Sequence, residues 1–341
     1  MKKIFFILAA FAAITFTACD KEADPASGPI PTQTGKGAKV EISFISPQTR
    51  AFGAGTTETW EKAVTNATIL VFNTDGNIKF RRDLSSNEIA DANTTPISLV
   101  IPDVKVGDNC DFAVIANRAV PLTITTKAQL FAEEENDAAS YNGSFAEVTT
   151  QALRNSGFTM TGIATQAIAE GTTSVAVTLK RVVAKIEVST STSDVFTSKY
   201  GPATISINKI TLSRGSLKSY LMDQTTAKYA AGGDTFTHEQ NTSAGNNLFY
   251  IYEKAAATAG ARVLLTIDAT YDTDGAAGTT SDQVPLVYEV ELSGAAGGQI
   301  LRNGSYFVQA SIDGLTGNDV SLSVNVADWE TLVTESVQIG K

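Results

Sequence analysis

Apolar and polar residues alternate with a period of two along most of this 341-residue chain, and that alternation limits the fold more than any other feature. Val40-Glu41-Ile42-Ser43-Phe44 switches character at every step, while residues 67–72 and 248–252 are short, continuous β-branched or aromatic runs. Strands are expected over 39–45, 67–72, 97–101, 112–117, 174–179, 182–189, 204–212, 248–252, 262–269, 284–292, 306–312 and 321–326. Asp75-Gly76, Asn142-Gly143, Asp274-Gly275 and Asn303-Gly304 supply turns. Helical patterns are few: 126–137 begins with a cap-like Thr126, and 192–201 ends at Gly201. The expected fold is mainly β, built as β-sandwiches with a few short helices. The length past residue 37 is large for one sandwich, so two domains are expected, 38–181 and 182–341. The boundary falls at Arg181 inside the long strand-like run 174–190.

The N-terminus predicts export. Lys2 and Lys3 precede the apolar run "IFFILAAFAAITF" and small residues, so residues 1–18 read as a signal peptide. The run is shorter than the roughly 20 apolar residues a membrane-spanning helix needs. Cys19 stands where a bacterial lipoprotein signal places its acylated cysteine; the alternative is an ordinary signal peptide cut nearby. Each acyl methylene buried in a membrane contributes about 0.8 kcal/mol, and two or more chains anchor a protein stably. Residues 19–37, polar and rich in Pro and Gly, read as a flexible tether. With Cys19 acylated, Cys110 has no partner for an intramolecular disulfide, and its neighbours in "CDFAVIAN" predict a buried thiol.

Several chemistries are disfavoured. A net charge of −10 without a Lys/Arg cluster argues against nucleic acid as a partner. The single histidine, His238 in the polar stretch "GDTFTHEQNTSAG", which reads as a loop, cannot build a multi-His zinc site within one chain. "GKGAK" lacks phosphate-loop spacing. Asp272 and Asp274 in "YDTDGAAG" lack the remaining ligands of a calcium loop and read as a turn. Residues 133–137, "EEEND", read as a solvated helix end. Carboxylates are plentiful, but abundance alone does not argue for glycoside hydrolysis. Neither enzyme activity, a cofactor nor a metal is expected.

One juxtaposition stands out. The strand 39–45 places Val40, Ile42 and Phe44 on one face and Lys39, Glu41 and Ser43 on the other. Soon after it, Arg50 sits past Pro47 in a Gly-, Ala- and Thr-rich tract of the kind that proteases nick. The dibasic pair Arg81-Arg82 is a weaker cut site because it lies between a strand and a turn. In order along the chain, "TRAFGAG", "ATILVFNTDG", "FAVIANR", "LKRVVAKIEV", "RNGSYFVQASIDG" and "LSVNVADWETL" resemble segments of the FimA-type major fimbrillins, the type V pilins of Bacteroidota. The stretch 213–247 carries no such likeness.

The resemblance implies two transthyretin-like β-sandwich domains and a structural role as the stalk subunit of an adhesive surface fimbria. It implies a lipoprotein precursor at the outer membrane, cut between Arg50 and Ala51 by an arginine-specific protease. The strand bearing Val40, Ile42 and Phe44 would then leave, and the subunit would join the extracellular fimbrium by donor-strand exchange. Implied partners are other copies of the chain and accessory fimbrial subunits. Residues 331–341 offer a donor with Val333, Val337 and Ile339 on one alternating face, Glu335 being the exception; the same tail also reads as the last strand of its own sandwich. A tip or anchor subunit of the same fimbria, and a surface glycan-binding lipoprotein, are the competing readings.

Overall fold

Strand alternation is realised from the first described residue. The computed structural model describes residues 37–45, 59–92, 96–149, 157–224, 235–243, 245–255, 257–276, 278, 280–292, 298–315 and 320–328. Its first-half strands are Gly37–Ile45 (β1), Ala67–Phe72 (β2), Ile78–Asp83 (β3), Ile97–Pro102 (β4), Asn109–Ala116 (β5), Glu134–Glu135 (β6), Met160–Ala167 (β7), Thr172–Thr178 (β8) and Lys180–Arg181 (β9). The second half contributes Val183–Thr192 (β10), Thr204–Ser216 (β11), Ser219–Tyr220 (β12), Thr235–Asn241 (β13), Asn246–Tyr252 (β14), Leu264–Asp272 (β15), Gln283–Glu291 (β16), Gly304–Ile312 (β17) and Val320–Asp328 (β18). Helices are short: Ser86–Ala92 (α1), Lys127–Ala132 (α2), Phe145–Thr149 (α3) and Asp194–Tyr200 (α4). Thr126 and Gln129 form a reciprocal capping box at α2, and the Ser193 side chain accepts from the Phe196 N–H to start α4.

The first-half strands build two facing sheets, β4-β1-β8 and β3-β2-β5-β7-β9. In β8, Thr173, Val175 and Val177 point inward and their neighbours outward, as a half-buried strand requires. Val175 and Val177 meet Ile69, Val71, Phe112, Val114 and Met160 of the opposite sheet in one core. β2 is buried on both faces: Leu70 and Phe72 pack instead with Leu130 of α2 and with Leu221 and Met222.

The second-half strands are hydrogen-bonded in the order β16-β15-β11-β14-β10-β17-β18, with β13 also on β11. The link between β11 and β14 is a single pair, Ser216 with Tyr252. The assembly therefore acts as two layers, β13-β11-β15-β16 and β14-β10-β17-β18, folded over at a corner. Irregularities in β11 between Ile207 and Lys209, and between Leu212 and Gly215, supply the bend. Ile210, Leu212, Leu265 and Ile267 share a core with Ile186, Val188, Phe249 and Val308.

The chain crosses between the halves at 178–183, where a two-residue strand, β9, stands between the two strands expected over 174–179 and 182–189. β8, β9 and β10 belong to three different sheets. A side chain on Gly162 of β7 would lie 2.2 Å from the Thr178 carbonyl oxygen, so only glycine allows that approach. Arg181 is fully buried: its Nε donates to the Glu61 carbonyl (2.8 Å) and its Nη1 to Asn303 Oδ1 (3.0 Å). Glu61 belongs to a short 3-10 turn, Thr59–Lys62, whose Trp60 packs against Phe158 and Tyr250 at centroid distances of 5.4 and 6.2 Å. The Glu61 carboxylate accepts from Lys185 Nζ and from the Tyr250 hydroxyl, both at 2.8 Å, and Lys185 also reaches Glu187 at 2.7 Å.

Three expectations need correction. Residues 133–137 are not a solvated helix end: Glu133 and Glu135 bind Arg118, Glu134 binds Lys218, and β6 pairs with β12. His238 lies in a strand, β13, rather than a loop, and its Nε2 sits 3.0 Å from the Gly143 carbonyl. Arg81 and Arg82 lie within strand β3 itself, where Arg82 pairs with Glu88.

The buried charges at the crossing set a pH dependence. Burial alone pulls the Lys185 pKa down, but Glu61 and Glu187 outweigh it and raise it above the ordinary 10.5. Burial, then Glu61, raises the Tyr250 phenol well above 10.0. The folded state holds both protons where the unfolded chain releases them, so their contribution is complete below pH 10 and is lost as pH rises further. Urea midpoints are expected to fall between pH 8 and pH 10.5, with a shallower fall in Tyr250→Phe. Lys185→Met removes the ammonium between two buried carboxylates and is expected to cost about 3–5 kcal/mol at pH 7 by urea unfolding.

Candidate assembly site

β1 occupies the middle of its three-stranded sheet. It runs antiparallel to β4, with Val40 opposite Leu99 and Ile42 opposite Ile97. It runs parallel to β8, with Val40 beside Thr173 and Phe44 beside Val177. A parallel neighbour is reached only through long connections, and here residues 39–45 meet residues 172–178. The start of the strand is tight: a side chain on Gly37 would stand 2.5 Å from the Ile101 carbonyl oxygen.

The inward face is sealed. Val40 and Ile42 are completely buried and Phe44 is 7% exposed. They join Leu99, Ile101, Val175 and Val177 from their own sheet and Ile69, Phe112 and Val114 from the facing one. Burying each such side chain is worth about 1.5–3 kcal/mol, so β1 contributes roughly 5–9 kcal/mol through apolar contact alone. Both of its ladders add hydrogen bonds worth about 0.5–1.5 kcal/mol each. The outward face adds little, since Lys39 and Glu41 pair at 3.5 Å with side chains 53% and 37% exposed.

Other singled-out residues fall elsewhere. Cys110 lies in the same core, 1% exposed, and burial followed by Asp108 and Asp111 pushes its thiol pKa up, as suits an unreactive cysteine. Asp272, Asp274 and Asp282 do come together, with carboxylate oxygens within 4.8 Å of one another. Their bonds are those of a turn, Asp272 Oδ1 accepting from Gly275 N and Asp274 Oδ1 from Ala276 N, both at 2.8 Å. Cys19, Arg50, Ala51, Val333, Val337 and Ile339 lie outside the described residues. What sequence reasoning missed is that β1 has two partners; alternation shows a buried face but carries no information on how many edges are paired.

Residues 32–334 match the family model of the fimbrillin-A associated anchor proteins Mfa1 and Mfa2. The chain belongs to this fimbrial family. No curated protein sequence matches it. Among solved structures it is similar to a fimbrilin of Porphyromonas gingivalis W83, with a TM-score of 0.57 and 17% identity over 88% of this chain and 99% of that one. It is similar as well to a fimbrial assembly protein of Parabacteroides distasonis (TM-score 0.55, 13% identity, 88% and 100% covered). The tip fimbrial protein Mfa3 of Porphyromonas gingivalis, solved with a C-terminal truncation, gives a TM-score of 0.51 at 15% identity, with 86% and 99% covered. At these identities the likeness is one of fold.

The seal can be measured directly. Ile42→Ala is expected to destabilise the uncut protein by about 2–5 kcal/mol in urea unfolding, whereas Lys39→Ala should cost less than about 1 kcal/mol.

Proposed function

We propose that this protein is a structural, non-enzymatic subunit of a cell-surface fimbria, exported as a lipoprotein acylated at Cys19 and activated by cleavage between Arg50 and Ala51. The observation that carries the proposal is the position of β1 between β4 and β8, with Val40, Ile42 and Phe44 closing the core. Its departure uncovers an apolar slot flanked by two unpaired backbone ladders, an arrangement that takes up a strand from another chain. The tail 331–341 of a neighbouring copy, with Val333, Val337 and Ile339 on one face, is the proposed donor. A contact from the tail of one copy to the slot of the next does not close on itself, so it propagates as a filament.

The family's own description, anchor proteins, favours a second reading in which the chain ends the fibre at the membrane. A stalk subunit loses β1; an anchor that retained β1 would keep its slot filled and its acyl chains attached. The N-terminal sequence of the protein in isolated fimbriae decides between them. Ala51-Phe52-Gly53 is expected, and a chain beginning at Cys19 would establish the anchor. Arg50→Ala is expected to yield a folded monomer that forms no filaments by electron microscopy; normal filaments would rule out the activating cut.

A further inference from the structure

A cut at Arg50 breaks none of the contacts that hold β1. Its ladders to β4 and β8, and the burial of Val40, Ile42 and Phe44, all lie within Gly37–Ile45. In the order β4-β1-β8, loss of the strand also divides its layer, so spontaneous departure is opposed by both ladders and the core together. What the cut changes is one end of the strand, which then carries a free chain terminus beyond Ile45.

The register makes the two ends unequal. Lys39 to Ile42 are paired on both sides, with Val100 to Ile97 of β4 and with Thr172 to Val175 of β8. Among the described residues, Ser43, Phe44 and Ile45 are paired with β8 alone. Ile97 is the last β4 partner, and Pro96 before it has no N–H with which to extend that ladder. At the other end Gly37 and Ala38 are paired with β4 alone.

Peeling the strand back from Ile45 therefore breaks a single ladder and uncovers the Phe44 pocket at once. Peeling it from Gly37 uncovers no fully buried side chain until Val40, and reaching Val40 breaks both ladders. Strand addition draws affinity from main-chain bonds and specificity from side-chain pockets, so an incoming strand gains both first at the Phe44 end.

We propose that the cut subunit keeps β1 as a non-covalent plug, and that an incoming strand displaces it from the Phe44 end toward Gly37. The proposal rests on the strand exchange described under the proposed function, and its test is built to fail separately. A site-specific protease sequence inserted after Arg50 in the full chain provides the break whether or not Arg50 itself is cut. After digestion, half or more of the N-terminal fragment is expected to remain with the rest of the protein through gel filtration for about an hour. A fluorescent peptide of residues 37–50, which matches the slot by construction, then serves as the incoming strand, and its rate of incorporation is expected to rise with its concentration.

Substitutions in the plug locate the starting end. Phe44→Ala removes a contact that is already broken when displacement is under way, and is expected to speed incorporation about tenfold or more. Val40→Ala removes one that still holds at that stage, and is expected to speed it less than about threefold. Circular dichroism before digestion checks that each variant is folded, and Phe44→Leu, a milder change, is expected to shift the rate in the same direction as Phe44→Ala. Loss of the fragment on digestion, no incorporation, a rate independent of peptide concentration, or acceleration by Val40→Ala equal to that by Phe44→Ala would overturn the proposal. A peptide of residues 329–341 in the same assay tests the donor: its failure beside a working 37–50 peptide would remove the tail as donor and leave the plug in place.

Discussion

Three side chains on one strand hold the first sandwich closed, and the strand that carries them joins two neighbours that do not pair with each other. In the sheet order β4-β1-β8, every hydrogen bond that makes this layer a sheet passes through β1. Its loss removes a wedge of the core and divides the layer at the same time. The apolar contribution, roughly 5–9 kcal/mol, is comparable with the whole stability of many domains, 5–15 kcal/mol. A strand so placed is either permanent or exchanged for an equivalent one, because an open slot leaves two ladders and an apolar floor in water.

The next described segment is fixed by different forces. Thr59–Lys62 is held at the crossing between the two halves by the Arg181 guanidinium on the Glu61 carbonyl, by Lys185 and Tyr250 on the Glu61 carboxylate, and by the packing of Trp60. Desolvating Lys185 is unfavourable in itself; two carboxylates within 2.8 Å offset it, and the phenol of Tyr250 takes part in the same network. Asn117 extends the attachment downstream: its Nδ2 donates to the Ala63 carbonyl and its Oδ1 accepts from Thr65 N–H. β1 and the turn Thr59–Lys62 therefore have separate anchorages, one in the first core and one at the crossing. A break in the chain between residues 45 and 59 cuts the covalent link between β1 and Thr59–Lys62 and leaves the hydrogen bonds just named in place.

The sequence was informative where burial is one-sided and uninformative where it is not. β2, β4 and β8 announced themselves through alternation or β-branched runs, as did the strands of the second half with an apolar face. β3 escaped because "IKFRRD" buries one large side chain, Phe80, among charges at the edge of its sheet. β7, "MTGIATQA", and β13, "TFTHEQN", are dominated by small or polar residues and owe their conformation to their partners. The acidic run 133–137 misled for a related reason. Its charges are matched by Arg118 and Lys218, which lie far away in sequence, and no local pattern reveals such pairs. The candidate site was half legible: the inward face of β1 could be read residue by residue, but its central position and its parallel partner, with Lys39 beside Thr172, could not.

That central position also constrains any replacement for β1. A strand running in the direction of β1 restores one antiparallel and one parallel ladder; a strand running the other way does the same with the two neighbours interchanged. The backbone therefore does not fix direction, and the side-chain pockets must. They lie at consecutive alternate positions, those of Val40, Ile42 and Phe44, and all three are apolar. In the proposed donor, Val337 and Ile339 are the consecutive pair, flanked on the same face by Glu335 and Lys341. A charge cannot occupy the middle pocket without a desolvation cost that outweighs the burial of its neighbours. The favourable registers are then those that seat Val337 and Ile339 in adjacent pockets and bring Glu335 or Lys341 to the mouth of the slot. There the Phe44 end, 7% exposed against none at Val40 and Ile42, gives the charged group its way out to water.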